Sequence, residues 1–147
     1  MIVRKAILED LPQLAILFDE YRQFYGASSN LDLSLNFLKQ RFENKESVIF
    51  IHIKDEVFTG FVLLYRGFSS VTCSTYYILD DVYVTPLYRK QGSAQQLIDT
   101  AILFARYENA LRISLETHKT NLISHQLYEK MGFVADDEFR TFHCFLK

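Results

Sequence analysis

The sequence predicts an α/β (α+β) domain in which a mixed, mostly antiparallel sheet is flanked by about four helices. Three observations carry that prediction. Four segments place apolar residues at helical spacing, and shorter β-branched runs alternate with them. The order reads β-α-α-β-β-β-α-β-α-β-β, so one helix must cross over between two parallel strands in the right-handed sense. At 147 residues, with 49% apolar and 23% charged side chains, the chain has the size and composition of one globular domain over residues 1–147.

Each element has a local reason. Ile2 to Ile7 is a short apolar strand with a basic interruption. Glu9-Asp10-Leu11-Pro12 opens a helix, with Asp10 as its cap and Pro12 in the first turn, where a missing N–H costs little. Leu11, Leu14, Phe18, Tyr21 and Tyr25 then form one apolar face, until residues 26–30 break the pattern. A second helix over Leu31 to Glu43 is expected to bury Leu31, Leu35, Leu38 and Phe42. Ser47 to Ile53 and Val57 to Tyr65 read as strands joined by a Lys54-Asp55-Glu56 turn, and residues 67–74 as a polar loop. Tyr76 to Val84 is the next strand. The helix after it turns Ala94, Leu97, Ile98, Ala101 and Ala105 inward. A short strand covers Leu111 to Leu115, and a helix over Asn121 to Met131 carries Ile123, Leu127 and Met131 four apart and ends at Gly132. Phe133-Val134 and Phe139 to Leu146 are expected as the last strands.

Composition bounds the function. A net charge of −2, from 16 basic and 18 acidic side chains, argues against a general nucleic-acid or acidic-membrane binder. No run of about 18 apolar residues spans a bilayer, and the amino terminus lacks a signal peptide's apolar region, so a cytoplasmic protein is expected. Cys73 and Cys144, far apart and outside any CxxC spacing, read as reduced thiols, a single disulfide being the alternative. His52, His118, His125 and His143 show no metal-ligand spacing, and no metal is expected.

The stretch from Tyr76 to Leu97 organises the rest. An apolar strand stops at Pro86, a basic turn bearing Gly92 follows, and a helix begins. The first N–H groups of a helix have no internal partner, so strand, turn and helix together aim free donors at an anion. Arg89 and Lys90 add charge, and Gly92 lets a ligand approach the backbone. It is neither a nucleotide-hydrolase phosphate loop, which ends in Gly-Lys-Ser/Thr, nor a three-glycine dinucleotide fingerprint. On pattern alone, a solvated surface turn is the competing reading.

Two motifs, in order and at a typical distance, decide between them. Arg89-Lys90-Gln91-Gly92-Ser93-Ala94 matches the cradle Arg/Gln-x-x-Gly-x-Gly/Ala, and Asn121 followed by Leu127-Tyr128-Glu129-Lys130-Met131-Gly132-Phe133 matches a second signature. Together, with the strand ending Val82-Tyr83-Val84 before Pro86, they resemble the GNAT acyltransferases, which move acetyl groups from acetyl-CoA to amines. Residues 60–70 and Leu79-Asp80-Asp81 resemble the spermidine/spermine (diamine) branch, which often has Glu at the position of Asp80.

The resemblance implies the GNAT acyl-CoA fold, acetyl-CoA as cosubstrate and direct transfer in a ternary complex to a small-molecule primary amine, a polyamine, diamine or amino acid. It assigns the pantetheine arm to Val82, Tyr83 and Val84, with an oxyanion donor at the N–H near Val82. The diphosphate goes to Arg89, Lys90, Gln91, Gly92, Ser93, Ala94 and Gln95, with Asn121, Ser124 and Tyr128 completing the cofactor contacts. The pantetheine arm is expected in a splay between the strands ending near Val84 and starting near Leu111.

Tyr128, whose phenol has a reference pKa of about 10, is the candidate acid for the departing thiolate, the competing reading being a core aromatic. Asp80 is the candidate base, acting directly or through water, and a substrate contact. Adjacent strand residues point to opposite faces, so only one of Asp80 and Asp81 is expected to line the cleft. Tyr21, Tyr25 and Arg22 resemble one wall of the acceptor pocket, against plain packing or solvation. A non-catalytic acyl-CoA-binding module and a protein or peptide N-acetyltransferase are the alternative functions. A homodimer is also implied, for which Phe139 to Leu146 would supply an edge.

Overall fold

The computed structural model describes all residues 1–147, and the chain divides into two compact units, Met1–Glu116 and Thr117–Lys147. The first holds one five-stranded sheet in the order β1-β2-β3-β4-β5, with β1 at Ile2–Lys5, β2 at Ser47–Lys54, β3 at Val57–Ser69, β4 at Ser74–Val84 and β5 at Ile113–Ser114. The first four pair antiparallel, and β5 runs parallel to β4, with Tyr77 opposite Ile113 and Ile78 opposite Ser114. Helix α3, Ser93–Tyr107, makes the crossover between those parallel strands.

Each face of the sheet is buried by helices. On one, α1 (Leu11–Phe24) and α2 (Leu31–Glu43) close a core of Leu11, Leu14, Phe18, Leu38, Ile49 and Phe61, among others. On the other, α3 buries Leu97, Ile98, Ala101 and Ala105, and its Phe104 ring meets Phe50 and Tyr77 edge-on at 5.5 and 5.2 Å. The helical spacing of apolar residues therefore selects the correct face of α3, except that Ala94 is only half-buried while Ser93 is buried.

Elsewhere polar chemistry displaces the apolar pattern. In α2 the buried residues are Ser34 and Leu38, Leu35 and Phe42 are partly buried, and Leu31 is exposed. Ser34 is drawn inward by Asp19, whose carboxylate accepts from the Asn30 N–H at 2.9 Å and from the Ser29 and Ser34 hydroxyls at 2.7 and 2.8 Å, and pairs with Arg22 at 3.0 Å. The Asn30 N–H foremost, then the Ser29 hydroxyl, hold its pKa down at about 2. One carboxylate thus ties the α1–α2 connection to α1. Asp10 does not cap α1 with its side chain, because it accepts from the Ile7 N–H and from both Arg4 guanidinium nitrogens, fixing a 3-10 turn at Leu8–Asp10. Tyr25 lies beyond the end of α1 and is exposed, so it does not extend the buried face.

β3 and β4 run further than expected, so the polar loop read at residues 67–74 shrinks to residues 70–73. Gly67 is buried in β3 opposite Tyr76, and a Cβ there would lie 2.3 Å from the Tyr76 ring, so the small residue admits the ring into the ladder.

The second unit contains α4, Leu122–Lys130, whose cap Asn121 accepts from the Ser124 N–H at 3.3 Å. Residues 133–147 form neither helix nor strand, so the two strands expected at 133–134 and 139–146 are absent from the chain on its own. No residue of this unit is buried. Ile123, expected inside, is exposed.

Candidate active site

The strand–turn–helix of the cradle has the shape its residues predict. β4 ends at Val84, a 3-10 turn covers Pro86–Tyr88, and Lys90 and Gly92 both adopt left-handed conformations, with φ of 61° and 82°. Non-glycine residues rarely accept this geometry, so Lys90 in it, two residues before a left-handed glycine, marks a tightly specified turn. Arg89 N–H bonds Pro86 O, and the next N–H with a backbone acceptor is that of Gln96, to Gly92 O at 3.0 Å. The six N–H groups of residues 90–95 between them have no acceptor. No protein atom lies within 4 Å of where a Gly92 Cβ would sit, so the space above it is open. Free donors, a helix terminus and an unobstructed approach suit a diphosphate.

The charges are arranged differently from the sequence expectation. Arg89 donates from Nε to Val84 O at 2.8 Å, and its guanidinium lies 5.3 and 5.4 Å from the Phe24 and Tyr83 ring centres, so it braces the end of β4. Lys90 keeps its side chain in solvent. Lys54, which no sequence pattern singled out, donates to Gln91 Oε1 at 3.0 Å and brings a second ammonium to the turn. Beneath α3, buried His52 bridges Thr59 Oγ1 at 2.6 Å and Gln96 Oε1 at 3.0 Å, and burial lowers its pKa, making it a neutral strut.

β4 is splayed from its parallel neighbour. β5 pairs only with Tyr77 and Ile78, leaving the rest of that edge of β4 without a strand. Thr85 N–H bonds Thr59 O on the β3 side, so by alternation Val84 and Val82 direct their backbone groups to the open edge. An extended amide chain can add there as a further strand.

A bulge controls the carboxylates. Leu63 pairs with Asp81 but Leu64 with Leu79, so Asp80 is the extra residue. Without the bulge, Asp80 and Asp81 would simply face opposite sides. With it, Asp80 is exposed and Asp81 is buried on the α1 side, and the two carboxyl groups interact. Tyr21 donates its phenol hydrogen to Asp81. Burial pushes the Asp81 carboxyl up to about 6, partly offset by the Tyr21 hydrogen bond and reinforced by Asp80. Burial, followed by the hydrogen bond to Asp81, raises the Tyr21 phenol far above its ordinary value, and burial carries Tyr65 to about 12.

Rings line the same place. Tyr21 meets Tyr25 at 5.0 Å, Phe61 at 5.7 Å and Tyr83 at 5.9 Å, and the Tyr83 hydroxyl is 3.5 Å from Glu20. Beside it, Glu20, Gln23, Tyr83, Thr85 and Pro86 line an open cavity of about 330 Å³. Acidic oxygens bordered by π faces attract an organic cation.

The structure therefore joins Tyr21, Tyr25, Asp80 and the missed Asp81 in one cluster, and turns the Tyr83 side chain toward α1. Val82 and Val84 stand on the open edge, and residues 90–95 form the cradle. Asn121, Ser124 and Tyr128 lie on α4 in the second unit. There the Phe133 N–H bonds Tyr128 O at 3.0 Å and the Gly132 N–H bonds Glu129 O at 3.1 Å, with Gly132 at φ 96°. The Tyr128 and Phe133 rings pack at 5.7 Å across this helix end. Leu-Tyr…Gly-Phe is thus also the code for a Schellman stop.

Comparison with known proteins agrees with this architecture. Residues 14–133 match the acetyltransferase (GNAT) family. The chain is 39% identical over 139 residues to the uncharacterized N-acetyltransferase YhfO of Bacillus subtilis, covering 95% of this chain and 93% of that protein. It is 29% identical over 143 residues to a probable acetyltransferase of Haemophilus influenzae, covering 97% and 96%. A crystal structure of a probable acetyltransferase superposes with a TM-score of 0.95 at 38% identity, over 100% of this chain and 99% of the other. A predicted acetyltransferase of Clostridium acetobutylicum, solved with acetyl-CoA, shares the fold at a TM-score of 0.77 and 18% identity, over 97% and 95%.

Proposed function

We propose, from the premise that the chain belongs to the acetyltransferase (GNAT) family and is an acetyl-CoA-dependent N-acetyltransferase, that its acceptor is the primary amine of a small cationic molecule. A polyamine or diamine is the reading favoured over an amino acid. The observation that supports it is the cluster at the β4 bulge, where Asp80 and Asp81 adjoin a wall of tyrosines. One ammonium would rest against the carboxylates and rings while another amine on the same molecule reacts. Residues 1–147 act in this reading as one catalytic domain.

The residues divide the work. The free N–H groups of residues 90–95, with Lys90 and Lys54, hold the diphosphate of acetyl-CoA, and Val82 and Val84 hold the pantetheine amides by strand addition. The acetyl group is supplied by that bound cosubstrate. An attacking amine must first be neutral, and an alkylammonium of pKa near 10 is a poor match for an ordinary carboxylate. Asp81, pushed up to about 6, is the better proton acceptor, with Asp80 as the exposed route to water. The amine nitrogen then bonds to the acetyl carbon and gives up its surplus proton to water at the Asp80 side, the C–S bond breaks, and the sulfur takes a proton. An N–H near Val82 is the oxyanion donor, and Tyr128 the proton donor to sulfur, both on family resemblance. Asn121 and Ser124 are assigned to the coenzyme on the same ground.

Thiol release, followed with a panel of diamines, polyamines, monoamines, amino acids and peptides, tests the acceptor class. Diamines or polyamines should give the highest kcat/KM. A preference for amino acids or peptide amino termini would refute the cationic-acceptor reading while leaving the family's chemistry intact.

A further inference from the structure

A buried polar chain joins the sheet to the cradle, and the chemistry assigned above leaves it unused. β2 alternates between two cores: Ile49 and Ile51 pack toward α1 and α2, while Phe50 meets Phe104 of α3. His52 follows on the α3 side and is fully buried. An apolar side chain would fill that place without the cost of desolvating an imidazole. His52 supplies directed hydrogen bonds instead. Its register partner is Gly60, whereas Ile53 pairs with Phe58, so Thr59 is the extra residue of a bulge in β3. The bulge brings Thr59 Oγ1 to 2.6 Å from His52 Nδ1, and Thr59 O accepts from the Thr85 N–H, just past β4, at 2.9 Å. On the far side of the ring, Nε2 lies 3.0 Å from Gln96 Oε1 in the first turn of α3.

Counting hydrogens gives the chain a direction. Gln96 Oε1 only accepts, so Nε2 carries the ring hydrogen and, in the neutral imidazole, Nδ1 accepts. The Thr59 hydroxyl has one hydrogen and two acceptors in reach, His52 Nδ1 and, at 3.2 Å, His52 O; the shorter contact takes it. Gln96 is also where the helical ladder begins, its N–H being the first after residues 90–95 to find a backbone acceptor. Near the start of that run, Gln91 accepts from Lys54, two residues beyond His52. β2 thus holds the cradle at both ends.

We propose that His52 is a positioning residue for the coenzyme: its bond to Gln96 fixes the first turn of α3, so that the free N–H groups of residues 90–95 stand oriented for the diphosphate. The inference rests on the cradle assigned above and adds the side chain that sets its orientation. His52 touches no reacting atom. Donors ordered before binding hold an anion more tightly than donors that must first be ordered. Loss of the bond should therefore appear in coenzyme affinity and not in the acetyl-transfer step.

Two substitutions at one position separate orientation from packing. Both remove the ring and cost stability. Glutamine keeps an amide at the place of Nε2, within reach of Gln96, whereas asparagine keeps polar atoms only at the place of Nδ1, beside Thr59. In calorimetric titration of the full-length protein with CoA, His52→Asn should weaken the Kd about five- to tenfold and His52→Gln less than about twofold. The KM for acetyl-CoA, followed by thiol release, should keep the same order with kcat at saturation held. Gln96→Met removes the acceptor from the partly exposed helix side and should match His52→Asn, whether or not the strand tolerates substitution. Thermal melts report the packing cost separately. Affinities that are alike in His52→Asn and His52→Gln, or that track melting temperature and not the bond to Gln96, overturn the role of His52 while wild-type binding upholds the cradle. Wild-type protein that does not bind CoA overturns the cradle and this inference together.

Discussion

Replacing Asp81 by Asn should make the protein more stable and less active, and the size of the first effect follows from the bulge. Asp81 is 7% exposed, and its carboxyl is raised from 3.8 to about 6, chiefly by burial. The unfolded chain therefore releases this proton at lower pH than the folded one. The group's contribution is whole below about pH 4, falls as pH rises toward 6, and stays lost above it. Two pH units at about 1.4 kcal/mol each give a penalty of about 3 kcal/mol for the ionised carboxylate at pH 8. Asn carries no charge, and its amide oxygen can still accept from Tyr21. Asp81→Asn should then melt roughly 5–10 °C above wild type at pH 8 and nearly level with it at pH 4.5. His52, buried and lowered in pKa, tilts wild-type stability the other way below about pH 6.5, but it is common to both proteins and cancels in the difference. With the proton acceptor gone, kcat/KM for a diamine should fall about 10²-fold or more. Thermal melts at three pH values and a thiol-release assay measure both. A variant equally destabilised at pH 4.5 and pH 8, with turnover intact, would refute the assignment of a strained, functional carboxylate.

Three further outcomes follow from the same geometry. Gly92→Val places a branched side chain in the open space above the cradle and at a φ of 82°, so CoA affinity should drop at least about tenfold by calorimetry, with the sheet's far-ultraviolet dichroism retained. Asp19→Asn removes a carboxylate held at about 2 by the Asn30 N–H and the Ser29 and Ser34 hydroxyls, and should cost about 2–3 kcal/mol in urea unfolding at neutral pH. Because that pKa is depressed, the loss should shrink as pH falls from 4 toward 2; an undiminished loss at pH 2.5 would point to packing instead. Tyr128→Phe keeps the ring that packs on Phe133 and removes only the hydroxyl, so CoA affinity should hold while turnover falls; unchanged turnover excludes this phenol as the acid.

What the sequence made legible was local. Apolar spacing selected the faces of α1 and α3, and a proline, a glycine and two basic residues located the cradle, because those features act on neighbouring residues. The bulge at Asp80 was not legible, since it is defined by the partner register on β3, and it decided which carboxylate is buried. Asp19's hold on Ser34 and the approach of Lys54 to Gln91 were hidden for the same reason, being contacts 15 and 37 residues apart. Arg89 has the right residue type for an anion, but a nearby carbonyl and two rings occupy it. The strand expected at 139–146 is absent, because alternating apolar residues make a strand only where a neighbouring edge supplies the other side of the ladder.

The most direct measurement is a titration of isotopically labelled protein with CoA, following backbone amide shifts. The N–H groups of residues 90–95 have no acceptor in the free chain, so they should move together and downfield as the diphosphate binds, and desulfo-CoA should move them equally. Saturable binding that leaves those six amides unshifted would contradict the cradle and the assignments built on it.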